Sequence, residues 1–206
     1  AQLPTVLAAL VAGESMALIS DAGTPLISDP GFRLVRAARA QGTRVCPVPG
    51  PSAPIAALSV CGLPTDRFFF EGFLPARSAA RRRRLGELAD LTVTWVCFES
   101  SHRIVESLQD MADCLGPARQ AAIARELTKR FEQTHTATLT ELLAWLTADA
   151  NRQRGEFVLS IAGARPPVAL SLAEQRILET LLEELPVKQA ARLAAKLTGQ
   201  SQRELY

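Results

Sequence analysis

Apolar residues follow two rhythms along the chain. At helical spacing stand Leu7, Leu10 and Val11, then Leu34, Val35 and Ala38, then Ile104, Val105, Leu108, Met111, Ala112 and Leu115. These stripes predict helices over 4–12, 32–41 and 104–115, stopped by Gly13, Gly42 and Gly116-Pro117. Short apolar runs predict strands over 16–19, 44–48, 68–70, 92–98, 120–124, 133–137 and 156–161. Ser52 stands where it would cap a helix over 53–60, a basic helix is expected over 78–88, and Thr138 with Glu141 forms a capping box ahead of Leu142, Leu143, Trp145 and Leu146. Trp95 and Trp145 fall at apolar positions and read as core.

Strand, loop, helix, repeated twice before residue 64, is the rhythm of a parallel sheet with covering helices. Gly62-Leu63-Pro64-Thr65 punctuates the pattern, and the stretch beyond reads as a mixed sheet with helices. The expected fold is therefore α/β in two domains, a parallel-sheet N-terminal domain over 1–64 and a mixed-sheet second domain over 65–164. Ala164-Arg165-Pro166-Pro167 is a stiff linker. A small helical C-terminal module over 170–206 follows, with a capping box at Ser171 and Glu174, an interruption at Pro186 and a glycine turn at Gly199. Its outline is that of a helix-turn-helix whose third helix is cut short.

The organising stretch is residues 17–31. There an apolar run breaks into Ser20-Asp21-Ala22-Gly23-Thr24-Pro25 and a helix begins after Gly31. Ligands of open α/β sheets bind at such strand exits. Ala22 and Gly23 leave bare peptide groups that a ligand can approach, Thr24 adds a hydroxyl, and Pro25 stiffens the turn. Asp21 and Asp29 flank the loop; Asp29 reads equally as a helix cap, Asp21 as a ligand contact or a turn stabiliser.

Composition narrows the class. The 206 residues are 48% hydrophobic and 21% charged with a net charge of +2, so any nucleic-acid contact must come from a local patch rather than overall charge. No run is long and apolar enough for a transmembrane helix, and no secretory pattern opens the chain, so the cytoplasm is the default location. Cys46, Cys61, Cys97 and Cys114 lack paired spacing and only His102 and His135 could join them, so no metal site is expected. Cys46 and Cys97 lie in predicted strands and read as small buried hydrophobes.

Five stretches in order carry a resemblance: Ala17 to Gly31; Pro49-Gly50-Pro51-Ser52-Ala53; the phenylalanine-rich 68–74; Phe98-Glu99-Ser100-Ser101-His102-Arg103; and Ala124-Arg125-Glu126-Leu127-Thr128-Lys129. Together they resemble the tetrapyrrole methylase superfamily of S-adenosylmethionine-dependent methyltransferases, and within it the branch that methylates a cytidine ribose 2′-hydroxyl in 16S ribosomal RNA. An opening strand and a Pro-Ile-Gly-Asn-type loop come first in that family. Nothing here matches them, so the N-terminal domain is expected without its first strand. The resemblance also implies a homodimer.

It further implies cofactor contacts at Ala22, Gly23, Thr24, Ile27, Ser52, Ala53, Glu99 and Leu127. For the RNA it suggests Arg77 and Arg81, Arg82, Arg83 and Arg84, although four consecutive arginines point around a helix, so a solvated face is an equal reading. His102 is the imidazole nearest the predicted cleft; Arg125, Glu126 and Lys129 either orient the RNA or form a salt-bridge network. Methyl transfer from a sulfonium needs placement and exclusion of water more than acid-base groups, and the chain's few such groups are compatible with that. A tetrapyrrole C-methyltransferase is the alternative enzyme, although it would be expected to carry Gly-Gly-Asp-Pro where this chain has Ala22-Gly23-Thr24-Pro25. An inactive RNA-binding fragment is the non-enzymatic alternative.

Overall fold

The computed structural model describes residues 2–164 and 171–199. Its contacts divide the chain into two units, 1–164 and 165–206.

The first unit is built on a five-stranded sheet. Its strands are β1 (Phe68–Phe73), β2 (Thr94–Ser100), β3 (Gln120–Arg125), β4 (Gln133–Thr138) and β5 (Glu156–Ile161), in the order β1-β2-β5-β3-β4. β1 and β2 run parallel and the other neighbours antiparallel, so β1, β2 and β3 all end at one edge of the sheet. β2 is buried along most of its length because both its faces are covered. Trp95 and Cys97 face helices α4 (Ser78–Leu88), α5 (Ile104–Leu115) and α6 (Leu139–Thr147), together with Leu85, Leu108, Met111, Leu142 and Leu146. Val96 and Phe98 face the opposite side, where α3 (Ala53–Val60) packs Ala57 and Leu58 against Ala122, Ala124 and Val158. The alanines of β3 let that helix come close. Each fully buried large side chain contributes about 1.5–3 kcal/mol of transfer free energy. The Thr138–Glu141 capping box forms as expected, and β4, an edge strand, alternates exposed threonines with half-buried residues.

The helices α1 (Leu3–Val11) and α2 (Phe32–Ala40) form where the apolar stripes place them, but the two strands expected beside them do not. Residues 14–20 and 43–50 join no ladder, and Ile19 and Val48 are 84% and 91% exposed. Short apolar runs supply strand propensity, but a strand exists only where a neighbour takes its backbone hydrogen bonds, and no described residue does so here. Cys46, expected to be buried in the second of these strands, is exposed for the same reason. Burial holds for Cys97, where it pushes the thiol pKa up.

Trp95 is fully buried, whereas Trp145 is half-buried, stacked on His135 at 4.9 Å and lying under the Arg152 guanidinium at 4.7 Å. It packs against the margin of the core beside His135 of the edge strand β4, which accounts for the difference.

Arg81 is also a correction. It is 0% exposed and its Nε donates to Asp110 Oδ2 at 2.7 Å while Nη1 donates to the Ala76 carbonyl at 3.2 Å. Among the apolar side chains of α4 it occupies the inward face, so it cannot reach a phosphate.

In the second unit α7 (Leu172–Glu184) begins at the Ser171–Glu174 capping box and α8 (Val187–Thr198) follows Pro186. Ala191 and Ala194 pack against Ile177, Leu178 and Leu181, small residues again permitting close approach. Gly199 ends α8 in the left-handed conformation. The expected third helix lies outside the described residues.

A candidate cofactor cleft at the edge of the sheet

Residues 20–31 fold into a tight loop with four left-handed positions: Gly23, Leu26, Ser28 and Gly31. Left-handed geometry at Leu26 and Ser28 costs about 1–2 kcal/mol each and persists only where the surroundings impose it. Two hydrogen bonds do so. Ser20 Oγ donates to the Ala22 carbonyl at 2.8 Å, and Ile27 N–H donates to the Thr24 carbonyl at 3.3 Å. A side chain at Gly31 would press on Leu18 and Leu26 at 3.0 Å. The loop also lies against the sheet: a Cβ at Gly72, at the bulge of β1, would stand 3.2 Å from Ser28 Oγ.

The loop is joined to the second predicted one by a single bond across 27 residues, Thr24 Oγ1 donating to the Pro51 carbonyl at 2.8 Å. Ser52 occupies the first position before α3 as expected, but its hydroxyl makes no capping bond and stays available. Ala53 then shares an apolar cluster with Leu127, Phe70 and Phe98. Ala22, Gly23, Thr24, Ser52, Ala53 and Leu127 are thus linked in one neighbourhood by the Thr24–Pro51 bond and that cluster. A side chain at Gly23 would meet nothing within 4 Å, so space beside its peptide is open. An open hollow of about 300 Å³ lies between residues 18–21 and 29–31, with Asp21 and Asp29 on its walls. Asp29 does not cap α2; that position falls to Gly31. Ile27 is 43% exposed on the outside of the loop.

Glu99 belongs elsewhere. Strand alternation turns its side chain to the face opposite Phe98, where its carboxylate accepts from Ser100 N–H at 2.7 Å and Ser107 Oγ at 2.6 Å and pairs with Arg103 at 2.8 Å. Arg103 in turn donates to the Leu74 carbonyl at 3.5 Å. Glu99 therefore ties the ends of β1 and β2 to α5, and only its backbone is left to face a ligand. His102 is exposed on the same edge with no hydrogen-bond partner among the described residues.

The end of β3 is equally wired. Glu126 Oε1 accepts from Glu156 N–H at 2.9 Å and from Lys129 Nζ at 3.0 Å, and Lys129 reaches Glu156 at 2.9 Å. The backbone bond from Glu156 and the bond from Lys129 hold the Glu126 pKa below its usual range, and the two carboxylates raise that of Lys129. Arg125 donates to the carbonyls of Arg154 and Phe131 and to Gln133 Oε1. Left-handed backbone at Glu126 and Thr128 makes the sharp turn that presents Leu127 to the apolar cluster that Ala53 also joins. Glu126 and Lys129 form the salt-bridge network of the second reading, with Glu156 as their partner, whereas Arg125 bonds only carbonyls and an amide among the described residues.

The remaining arginines of α4 divide. Arg82 bonds Asp110 at 3.2 Å and Asp113 at 2.7 Å, and Arg84 holds Glu71 through two 2.7 Å bonds and Glu87 through a third. Arg77 and Arg83 are exposed, and their guanidinium groups meet no described partner. Among the described residues no three His, Cys, Asp or Glu side chains are grouped to hold a metal ion, and no helix is long and apolar enough to cross a membrane.

Residues 1–143 match the family model for tetrapyrrole (corrin/porphyrin) methylases. The chain belongs to this family. Residues 168–206 match a second model, the RsmI C-terminal HTH domain. Among curated relatives, the chain is 54% identical to a ribosomal RNA small subunit methyltransferase I of Xylella fastidiosa, over 98% of this chain and 74% of the relative. It is 53% identical to one of Pseudomonas aeruginosa, over 96% and 71%, and 49% identical to one of Escherichia coli O157:H7, over 98% and 71%. Among solved structures the methyltransferase CobJ shares the fold, with a TM-score of 0.58 and 19% identity over 79% of this chain and 70% of that one. So does a Thermus thermophilus uroporphyrin-III C-methyl transferase solved with S-adenyl homocysteine, with a TM-score of 0.51 and 18% identity over 78% and 71%.

Sequence reasoning missed the Thr24–Pro51 bond and the ion pairs of α4. The first has no sequence signal, because it joins distant loops. The second had one: acids at Asp110 and Asp113 on the facing stripe of α5.

Proposed function

We propose that the chain is an S-adenosylmethionine-dependent methyltransferase of small-subunit ribosomal RNA, with the ribose 2′-hydroxyl of a cytidine in 16S RNA as acceptor. The observation that carries this reading is near-half identity to ribosomal RNA small subunit methyltransferases I along almost the whole chain. The tetrapyrrole enzymes share the fold at less than one-fifth identity, which favours RNA over a corrin or porphyrin acceptor.

Features of the loops beside the hollow support a cofactor site there, although the hollow itself is lined by residues 18–21 and 29–31. Bare peptide groups at Ala22 and Gly23, open space beside Gly23, the unused Ser52 hydroxyl, and the apolar wall of Ala53 and Leu127 suit a nucleoside and an amino-acid tail. When bound, S-adenosylmethionine supplies the activated methyl group. The residues around it hold and orient: Thr24 fixes one loop to the other, Leu127 closes an apolar side against water, and the Glu126–Lys129–Glu156 network keeps Leu127 in place. His102 is the free imidazole at this edge for the ribose proton, and Arg83 of α4 with Arg77 just before it are cations free for phosphate. A homodimer in the cytoplasm belongs to the same reading and rests on the family resemblance.

Tritium transfer from labelled cofactor to small ribosomal subunits, compared with a corrin or porphyrin acceptor, tests the proposal. The expected product resists alkaline cleavage at one cytidine. Label in the tetrapyrrole alone would favour the alternative, and calorimetry without cofactor binding would favour an inactive RNA-binding module.

A further inference from the structure

The loss of Arg81, Arg82 and Arg84 to internal ion pairs raises the question of where unneutralised cations do lie. Helix α2, which leaves the cofactor loop at Gly31, carries Arg33, Arg36 and Arg39, and Arg44 follows it. All four are exposed, and none of their guanidinium groups makes a hydrogen bond or ion pair with a described residue. At about 100° per residue the three helical arginines fan over about 120° of the helix, opposite Leu34 and Ala38, which turn inward. Phe32 lies within the same fan, 62% exposed, with the Arg36 guanidinium 5.3 Å over its ring. The helix carries no acid.

From these observations we infer that the outer face of α2, formed by Arg33, Arg36 and Arg39 with Arg44 beside it, binds the RNA phosphate backbone next to the cofactor loop. The inference rests on the RNA reading above and goes beyond it by moving the main phosphate contact from α4 to α2. Unpaired guanidinium groups in a row are what a polyanion without base reading requires. A second copy of the chain is a poor occupant, since a two-fold contact would bring like-charged rows together.

The test uses the triple variant R33Q/R36Q/R39Q in the methylation assay, with R33K/R36K/R39K as the charge-preserving partner. Surface changes of this kind leave stability nearly unchanged, and cofactor binding by calorimetry reports that the cleft is intact. Removing three phosphate contacts flattens the dependence of log affinity on log salt by about 2, so between 50 and 200 mM salt the glutamine variant loses about sixteenfold less affinity than the wild type. The expected result is a raised KM for RNA with that flatter slope, unchanged cofactor affinity, and a wild-type slope in the lysine variant. Wild-type KM and slope in the glutamine variant would overturn the inference, as would unchanged RNA affinity with an altered mass by light scattering, which would assign the face to a contact between copies. If the wild type itself transfers no methyl group to small-subunit RNA, the functional reading fails and takes this inference with it.

Discussion

Replacing Asp110 by asparagine removes the charge that holds a buried guanidinium. Arg81 is 0% exposed, its Nε lies 2.7 Å from Asp110, and its Nη2 finds no hydrogen-bond partner, standing 3.7 Å from the exposed carboxylate of Glu106. Leaving one member of a buried pair without its partner costs about 3–5 kcal/mol. For a unit of this length a kilocalorie moves Tm by about 2–4 °C, so D110N should melt about 6–20 °C below wild type. R81M is gentler, at about 1–3 kcal/mol, because Asp110 keeps its bonds from Ser78 and Arg82. In the combined R81M/D110N protein the two effects should fall short of their sum by about 0.5–3 kcal/mol. Acid should act in the same direction. Burial disfavours the Asp110 carboxylate, but the bonds from Arg81, Ser78 and Arg82 outweigh it and hold the pKa below the ordinary value. The unfolded chain, with a pKa of about 3.9, therefore takes up a proton first. Stabilisation from this group is complete above about pH 4 and drains away as the pH falls through the lower folded pKa, a slope that D110N should lack. Thermal melts followed by circular dichroism measure all of this, with RNA methylation assayed below every midpoint. If R81M kept the wild-type Tm but weakened RNA binding in a salt-dependent way, Arg81 would be an RNA contact and the buried-pair reasoning would fail.

Three further outcomes address the cleft. Thr24→Val loses the bond to Pro51 and should weaken cofactor binding by about 1 kcal/mol, roughly fivefold, in calorimetry, while Thr24→Ser keeps the wild-type value. Gly23→Val forces a branched side chain into left-handed backbone at a cost of about 1–2 kcal/mol, lowering Tm by about 2–8 °C, fills the open space beside the peptide, and should abolish cofactor binding below the melting transition; tight binding by this variant would show that the cofactor does not approach Gly23. Gly155→Ala places a Cβ 2.5 Å from Glu126 Cγ and should dislodge the turn that presents Leu127, lowering kcat/KM and Tm together, whereas undiminished activity would separate Leu127 from the site.

Much of the first unit could be read directly. The stripe from Ile104 to Leu115 is α5, the continuous run at 94–98 is a strand covered on both faces, and the Thr138–Glu141 box starts α6. These are local features: periodicity says which face is apolar, and a capping box satisfies its own end of the helix. The candidate cleft was legible in part for the same reason, since small residues at Ala22, Gly23 and Ala53 announce bare backbone wherever the loops are placed.

The helices, the five ladder strands, the small-residue loops and the family resemblance are thus written in local residue order. Which charges are spent is settled by the folded arrangement. Four arginines in a row read as one patch, but Asp110, Asp113, Glu71 and Glu87 pair with three of them from positions 3 to 31 residues away, while the arginines of α2 stay unpaired among the described residues. It likewise showed the apolar runs at 16–19 and 44–48 to be unpaired and turned Glu99 away from the cleft. The physical reason is common to all of these: pairing of a strand, an ion or a carboxylate is a property of what lies opposite, and sequence separation does not encode what lies opposite.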